Sequence, residues 1–364
     1  MQYINKLNIV NFRGLNNVEL TNTQQINILV GDNNSGKTSI LEAIQLLEYP
    51  KEPGSFVKVA RKRETQYSLT TFGMLTPYES FMNMFNKKYK NKMICLEAQI
   101  NDETINLEIK GYEEKILMEI HDNEKICSHQ FDLGDNNGEM KSFIGKFKLI
   151  ESNVETVSNF KFDENDKSFK ISNDESLRLM KTDYLSPVDH YAQNKLVKVI
   201  SNAVKSGGKN DIIEMLTAFD KNIIGLELLG EERRTVPYLQ HNKLGLIPLS
   251  VFGDGIKKVI LIACSILSLK DGVLLIDEIE TAIHTSALKD FFKWFVNACK
   301  KYNTQVFITT HSVEAIDAIL EGSKDHLSDI VCYRLEDDNS DMYVNRISGE
   351  KLYGIRNNLG LDVR

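Results

Sequence analysis

Eight residues, Gly31-Asp32-Asn33-Asn34-Ser35-Gly36-Lys37-Thr38, fit the pattern G-x-x-x-x-G-K-[ST] at every fixed position. The apolar run Ile26 to Val30 precedes them, and Ile40, Leu41, Ile44 and Leu47 follow at helical spacing within Lys37 to Glu48. Strand, glycine loop and helix in direct succession commit the chain to an α/β core. The glycines let successive backbone N–H groups curl around the α and β phosphates of a nucleotide, and the helix N-terminus adds a positive partial charge. Gly31, Asp32, Asn33, Asn34, Ser35, Gly36, Lys37, Thr38 and Ser39 are therefore candidate nucleotide-binding residues. Lys37 is expected to reach the β and γ phosphates, and the Thr38 hydroxyl to ligate magnesium.

Two later segments complete the chemistry such a loop needs. Val273-Leu274-Leu275-Ile276-Asp277-Glu278 is an apolar strand ending in two carboxylates. Asp277 is expected to hold the magnesium through water, and Glu278 to polarise the attacking water as general base. Val306-Phe307-Ile308-Thr309-Thr310-His311-Ser312 is a strand with a histidine at its C-terminal end. Beside the Asp277 strand, that end lies where open α/β sheets bind ligands, so His311 is expected over the γ phosphate.

The rest of the chain is organised around these pieces. Residues 93 to 171 alternate apolar and polar, as in Ile105-Asn106-Leu107-Glu108-Ile109-Lys110, and read as an antiparallel β lobe. Residues 190 to 224 read as helical, interrupted at Gly207-Gly208, and 225 to 249 as extended. Ile256 to Leu269 and Ser286 to Tyr302 read as helices, and Val331 to Leu335 with Met342 to Ile347 as a hairpin. The expected division is a P-loop core from 1–50 and 245–330, a β-rich insertion over 51–189 and a helical segment over 190–244. Residues 331–364 would complete the core as hairpin and tail. The basic stretch Lys58-Val59-Ala60-Arg61-Lys62-Arg63 reads as a solvated surface, with a helix end or a phosphate-facing patch as the alternative.

Composition narrows the partners. Lys plus Arg number 44 against 51 Asp plus Glu, a net charge of −7, so nucleic-acid binding would need a local basic patch. No apolar run approaches the roughly 18 residues of a membrane span, and Met1 to Val10 alternates rather than forming a signal segment. A cytoplasmic protein is expected, without membrane contact. Its five cysteines are scattered, with no Cys-x-x-Cys pair, which argues for a reducing compartment. His121 and His129 flank Cys127 in a β region without a fourth ligand, and read as surface strand rather than zinc site. His190 after Ser186 and Asp189 lacks the nucleophile elbow of a hydrolase.

The three nucleotide motifs together resemble the ABC-type ATPase heads outside transporters, the group of RecF, SMC proteins and OLD ATPases. The resemblance covers residues 1 to about 48 and 248 to 320. It implies an α/β head with a mostly parallel P-loop sheet, an antiparallel β lobe and a helical insertion, hydrolysing ATP with Mg2+. By similarity Arg13, in the turn Asn11-Phe12-Arg13-Gly14, would lie near the nucleotide. Gly253-Asp254-Gly255 resembles the signature that contacts the γ phosphate of a second subunit in an ATP-sandwiched dimer. Phe252 stands where the usual serine would stand, so that contact falls to Ser250, to the N–H groups of the helix start, or is missing. Thr281-Ala282-Ile283-His284 occupies the D-loop position without its acidic residue, and no glutamine marks a Q-loop.

Within the group, the absence of a long heptad array separates the chain from SMC arms, and the stretch after His311 is short for a Toprim nuclease domain. The acidic run Glu336 to Asp341 reads as a hairpin turn. What remains resembles the short OLD-like ATPases of prokaryotic anti-phage defence, such as the PARIS-type ATPase, which control a separately encoded nuclease or toxin. The implied partners are a second copy of the chain and an effector protein. The alternative is a RecF-like repair or replication ATPase binding DNA through Lys58, Arg61, Lys62 and Arg63.

Overall fold

The computed structural model describes residues 4–67, 75–117, 139–166, 177–231, 234–338 and 341–364. His121, Cys127 and His129 lie outside the described residues. In chain order the first elements are β1 (Ile4–Phe12), β2 (Leu15–Thr21), β3 (Ile26–Gly31), α1 (Lys37–Leu46), α2 (Pro53–Tyr67) and α3 (Pro77–Met82). Next come β4 (Lys92–Ile100), β5 (Glu103–Leu117), β6 (Glu139–Glu151), β7 (Val154–Asp163) and β8 (Thr182–Leu185). The helical segment holds α4 (Gln193–Lys205) and α5 (Lys209–Phe219), followed by β9 (Ile223–Glu231), β10 (Arg234–His241) and β11 (Gly245–Pro248). The chain ends with α6 (Asp254–Leu269), β12 (Val273–Ile276), α7 (Thr285–Lys301), β13 (Gln305–Thr309), α8 (Val313–Gly322), β14 (Ile330–Asp338), β15 (Asp341–Ser348) and α9 (Gly349–Leu359).

Among the described residues three sheets form. The central one runs β15-β14-β3-β13-β12-β8, parallel throughout except for the antiparallel edge strand β15. Its inner strands are short and buried on both faces, as continuous apolar runs require. Ile28, Ile276 and Ile308 face a core built with α4 to α8, while Leu29, Leu275 and Phe307 face a second core shared with α1 and the antiparallel sheet. That sheet runs β2-β1-β4-β5-β6-β7, and a small sheet β11-β10-β9 sits on the signature side. The mixed α/β fold is the expected one.

The expected boundaries do not follow the sheets. β1 and β2, placed with the P-loop core at 1–50, pair with β4 of the insertion and belong to the antiparallel sheet. Their one-sided burial explains this, since a half-exposed strand cannot lie in the middle of a doubly covered parallel sheet. Conversely β8, inside the 51–189 insertion, is the edge of the parallel sheet beside β12. At the far edge β14 pairs in parallel with β3.

Side chains tie the two large sheets together, Tyr333 of β14 and Arg346 of β15 donating to the Thr21 carbonyl of β2 at 2.8 and 3.1 Å. Gln305, at the start of β13, accepts from the Ile4 N–H at 2.9 Å and donates to the Ile4 carbonyl at 2.9 Å and the Gln24 carbonyl at 3.0 Å. Cys95, Cys264, Cys299 and Cys332 are free thiols. Among the described residues no helix is long and apolar enough to cross a membrane.

Candidate functional site

The glycine loop leaves β3 at its C-terminal edge and enters α1 through Gly36, whose φ of 89° lies in the left-handed region. A Cβ at Gly36 would lie 2.4 Å from Leu15 Cδ2, so both backbone angle and space demand glycine here. Within the loop, Lys37 is buried and its ammonium donates to the Gly31 carbonyl at 2.8 Å, the Asp32 carbonyl at 2.7 Å and Ser35 Oγ at 3.3 Å. Burial lowers the Lys37 pKa, against the raising influence of Asp277, Asp32, Glu278 and Glu280. The ammonium is thus held on loop carbonyls at the place where phosphate oxygens would be its stronger partners.

Asp277 sits at the tip of β12 and collects three hydroxyl donors. Thr38 Oγ1 lies 3.1 Å from both carboxylate oxygens, Thr309 Oγ1 donates at 2.6 Å and the Tyr184 hydroxyl at 3.1 Å. Burial, then the Asp277 charge, pushes the Tyr184 phenol well above its ordinary range, so it remains a donor. Thr309 also accepts from the Glu278 N–H at 2.8 Å. Glu278 follows with a φ of 48°, a left-handed turn that lifts its carboxylate off the strand line, where Thr281 Oγ1 donates to it at 3.2 Å.

These groups open into one cleft of about 990 Å³ whose lining includes Asn33, Asn34, Gly36, Lys37, Thr38, Ser39, Asp277, Glu278 and His311. Residues 239 apart in sequence meet there. Arg13 lines the cleft too, its guanidinium paired at 2.7 Å with the buried Glu42 of α1. Arg63, from the basic stretch read as a solvated surface or a phosphate-facing patch, also lines it. Its guanidinium forks onto Glu42 at 2.7 and 2.8 Å and donates to Ser39 Oγ at 3.0 Å. Burial opposes the Arg63 charge, but Glu42 overrides it and raises the pKa. Lys62 turns the same way, its ammonium 3.6 Å from the Tyr184 ring centroid.

The donor set fits magnesium and a nucleoside triphosphate. A threonine hydroxyl and a carboxylate in contact are hard oxygen ligands, and Mg2+ completes its octahedron from water and phosphate rather than from a protein cage. Accordingly, among the described residues no cluster of three or more His, Cys, Asp or Glu is placed to hold a metal. Loop N–H groups, Lys37 and Arg63 supply the positive side for phosphates.

Sequence reasoning missed three contributors, Glu42, Tyr184 and Thr309, and gave Arg63 only as part of a basic stretch. A glutamate inside an apolar helix face, one turn beyond Thr38, was the available signal for Glu42; the others depend on which strands become neighbours. Ser250, Gly253, Asp254 and Gly255 do not line this cleft. Gly253 caps α6, Asp254 pairs with Lys257 at 3.0 Å and accepts from the Tyr191 hydroxyl at 2.9 Å, and Ser250 is exposed beside a separate groove.

Residues 2–316 match the AAA ATPase domain family. Over 92% of its length the chain is 24% identical to an ATP/GTP phosphatase of Helicobacter pylori, spanning 93% of that protein. It is 39% identical over 69 residues to the DNA replication and repair protein RecF of Idiomarina loihiensis, covering 18% of this chain and 20% of that one. An SMC head solved in complex with the C-terminal winged-helix domain of ScpA superposes with a TM-score of 0.52 at 12% identity, over 96% of this chain and 99% of that chain.

Proposed function

The chain belongs to the AAA ATPase domain family, and on that premise we propose that it is a Mg2+-dependent ATP hydrolase of the SMC and RecF type whose nucleotide-driven self-association controls a separate effector in prokaryotic anti-phage defence. One observation carries the hydrolase reading: Thr38 and Asp277 touch across the sheet in the cleft that also holds Lys37, Glu278 and His311. Loop N–H groups and Lys37 cradle the phosphates. Thr38 and Asp277 would hold magnesium, which would supply neutralisation of the phosphate charge. Glu278 takes a proton from the attacking water, and His311 orients toward the γ-phosphate oxygens as the β–γ bridge breaks.

The signature residues lie outside the cleft, which supports their acting on a second subunit. Ser250 and Val251, the latter 72% exposed, precede α6 on an open face, and the N-terminus of α6 has free N–H groups to offer an anion. Two nucleotides would glue two such faces, and loss of the γ phosphate would release them. The antiparallel sheet or the α4–α5 segment is the surface proposed to dock the effector. Similarity along nearly the whole chain to an ATP/GTP phosphatase supports the hydrolase reading, and the matches to RecF are short. Lys62 packs on the Tyr184 ring, which takes one cation away from the proposed DNA patch and weighs against a RecF-like role, while Arg63 forks onto Glu42 and stays exposed.

Mass photometry of the Glu278→Gln protein tests this, with and without ATP and Mg2+, with duplex DNA and, separately, with proteins encoded beside it. ATP-dependent assembly that carries a neighbouring gene product and ignores DNA is the expected result. Assembly only on DNA would replace the reading with the RecF-like one, and phosphate release at the unsubstituted rate would remove Glu278 as general base.

A further inference from the structure

His311 joins β13 to α8 and lines the cleft, and the place from which its imidazole reaches in is set by the backbone. That backbone is gripped from two sides. The His311 N–H donates to Glu280 Oε1 at 2.8 Å, and the same carboxylate accepts from the hydroxyl of the buried Thr310 at 2.7 Å through Oε2. The His311 carbonyl accepts from Arg364 Nη1 at 2.8 Å. Glu280 lies two residues beyond the general base; Arg364 lies at the far end of the tail.

The tail is built to present that guanidinium. After α9, Gly360 turns the chain back with a φ of 64°. Val363 is buried in the helical core, at 3% exposure. Asp362 holds Arg364 by a fork, with Nη2 at 2.7 Å and Nε at 3.0 Å, which leaves Nη1 directed at His311. Arg356 of α9 donates to Asp317 of α8 at 2.8 and 2.9 Å, which ties the helix before the tail to the helix that starts just after His311.

We propose that Glu280 and Arg364 are positioning residues that hold His311 over the γ phosphate, making the C-terminal tail a working part of the ATPase site. The inference rests on the hydrolase reading above. A histidine contributes to transfer only when held within tenths of an ångström of its oxygen, and a loop gripped on one side alone spends most of its time elsewhere. Anything that lifts residues 360–364 would slow turnover without loosening the nucleotide.

The test is a double-mutant cycle on the full chain, reading kcat and KM for ATP together with binding of a fluorescent ATP analogue. Arg364→Ala should lower kcat about three- to tenfold with KM and analogue binding within about twofold, and Arg364→Lys should restore part of the loss. Glu280→Gln should lower kcat by about tenfold or more. In a His311→Ala background, Arg364→Ala should cost less than about a further twofold, because its effect passes through His311. Equal loss in both backgrounds, or unchanged kcat in Arg364→Ala, overturns the proposal. Unchanged kcat in His311→Ala would instead remove the histidine from the mechanism, and the tether with it. Arg364 is exposed, so its variants keep the fold even where Glu280→Gln does not.

Discussion

Glu42 of α1 is a buried carboxylate behind the cleft wall. It is 1% exposed and takes the guanidinium groups of Arg13 and Arg63 on its two oxygens. One buried negative charge thus fixes two cations at the cleft wall, and removing it leaves both held by weaker contacts. Glu42→Ala should cost about 3–5 kcal/mol of stability, the usual cost of breaking a buried pair from one side. Chemical denaturation measures it; a loss under about 1 kcal/mol would show that Arg13 and Arg63 find other partners at no cost. At the same scale Lys37→Ala should abolish binding of a fluorescent ATP analogue, because the loop N–H groups alone lack a full positive charge. Retained tight binding would remove Lys37 from the phosphate site.

Between elements, α2 docks on β8 through a charge that burial disfavours. Burial, then the nearby Lys195, lowers the Lys62 pKa from 10.5 to about 7, with Asp183 and Asp189 opposing. Between about pH 7 and 10.5 the unfolded chain therefore binds more protons at Lys62 than the native one, and stability from this group rises with pH. Below about pH 7 both states are charged and the burial penalty is felt in full. Lys62→Met removes the penalty, so its melting temperature relative to the parent should be highest near pH 6 and fall toward pH 9, at up to about 1.4 kcal/mol per pH unit. A difference flat across that range would mean that Lys62 titrates as an exposed lysine. The docking matters to the site because the Tyr184 ring under Lys62 carries the hydroxyl that donates to Asp277.

At the scale of the molecule, the antiparallel sheet that starts at β1 and the parallel sheet share Gln305, whose amide replaces the backbone partners Ile4 would otherwise lack. Gln305→Leu leaves the Ile4 N–H buried without this partner, while the Ile4 carbonyl keeps the Thr23 hydroxyl, and should lower stability by about 1–3 kcal/mol. Because the residue is remote from the cleft, kcat of the folded fraction should hold; a fall in kcat with normal stability would show that the sheets are coupled to catalysis instead.

The sequence alone determined the phosphate loop, the carboxylate pair and the histidine, because each is a local pattern: a strand of continuous apolar residues and a polar tip with nothing to pack. It determined the parallel core for the same reason, since β3, β12 and β13 are apolar on both faces. Strand partnership was decided only in the tertiary structure. The alternation in β1 marks a strand with one wet face, yet nothing in its nine residues says that its neighbour is β4, far along the chain. The same holds for Arg63, whose run of basic residues looks identical whether it faces water or Glu42, and for Arg364, which reaches His311 only because a buried valine and a turn at Gly360 bring the tail back. Local patterns record which faces of an element need burial; which element buries them is a property of the whole chain, fixed by shape and by the pairing of buried polar groups.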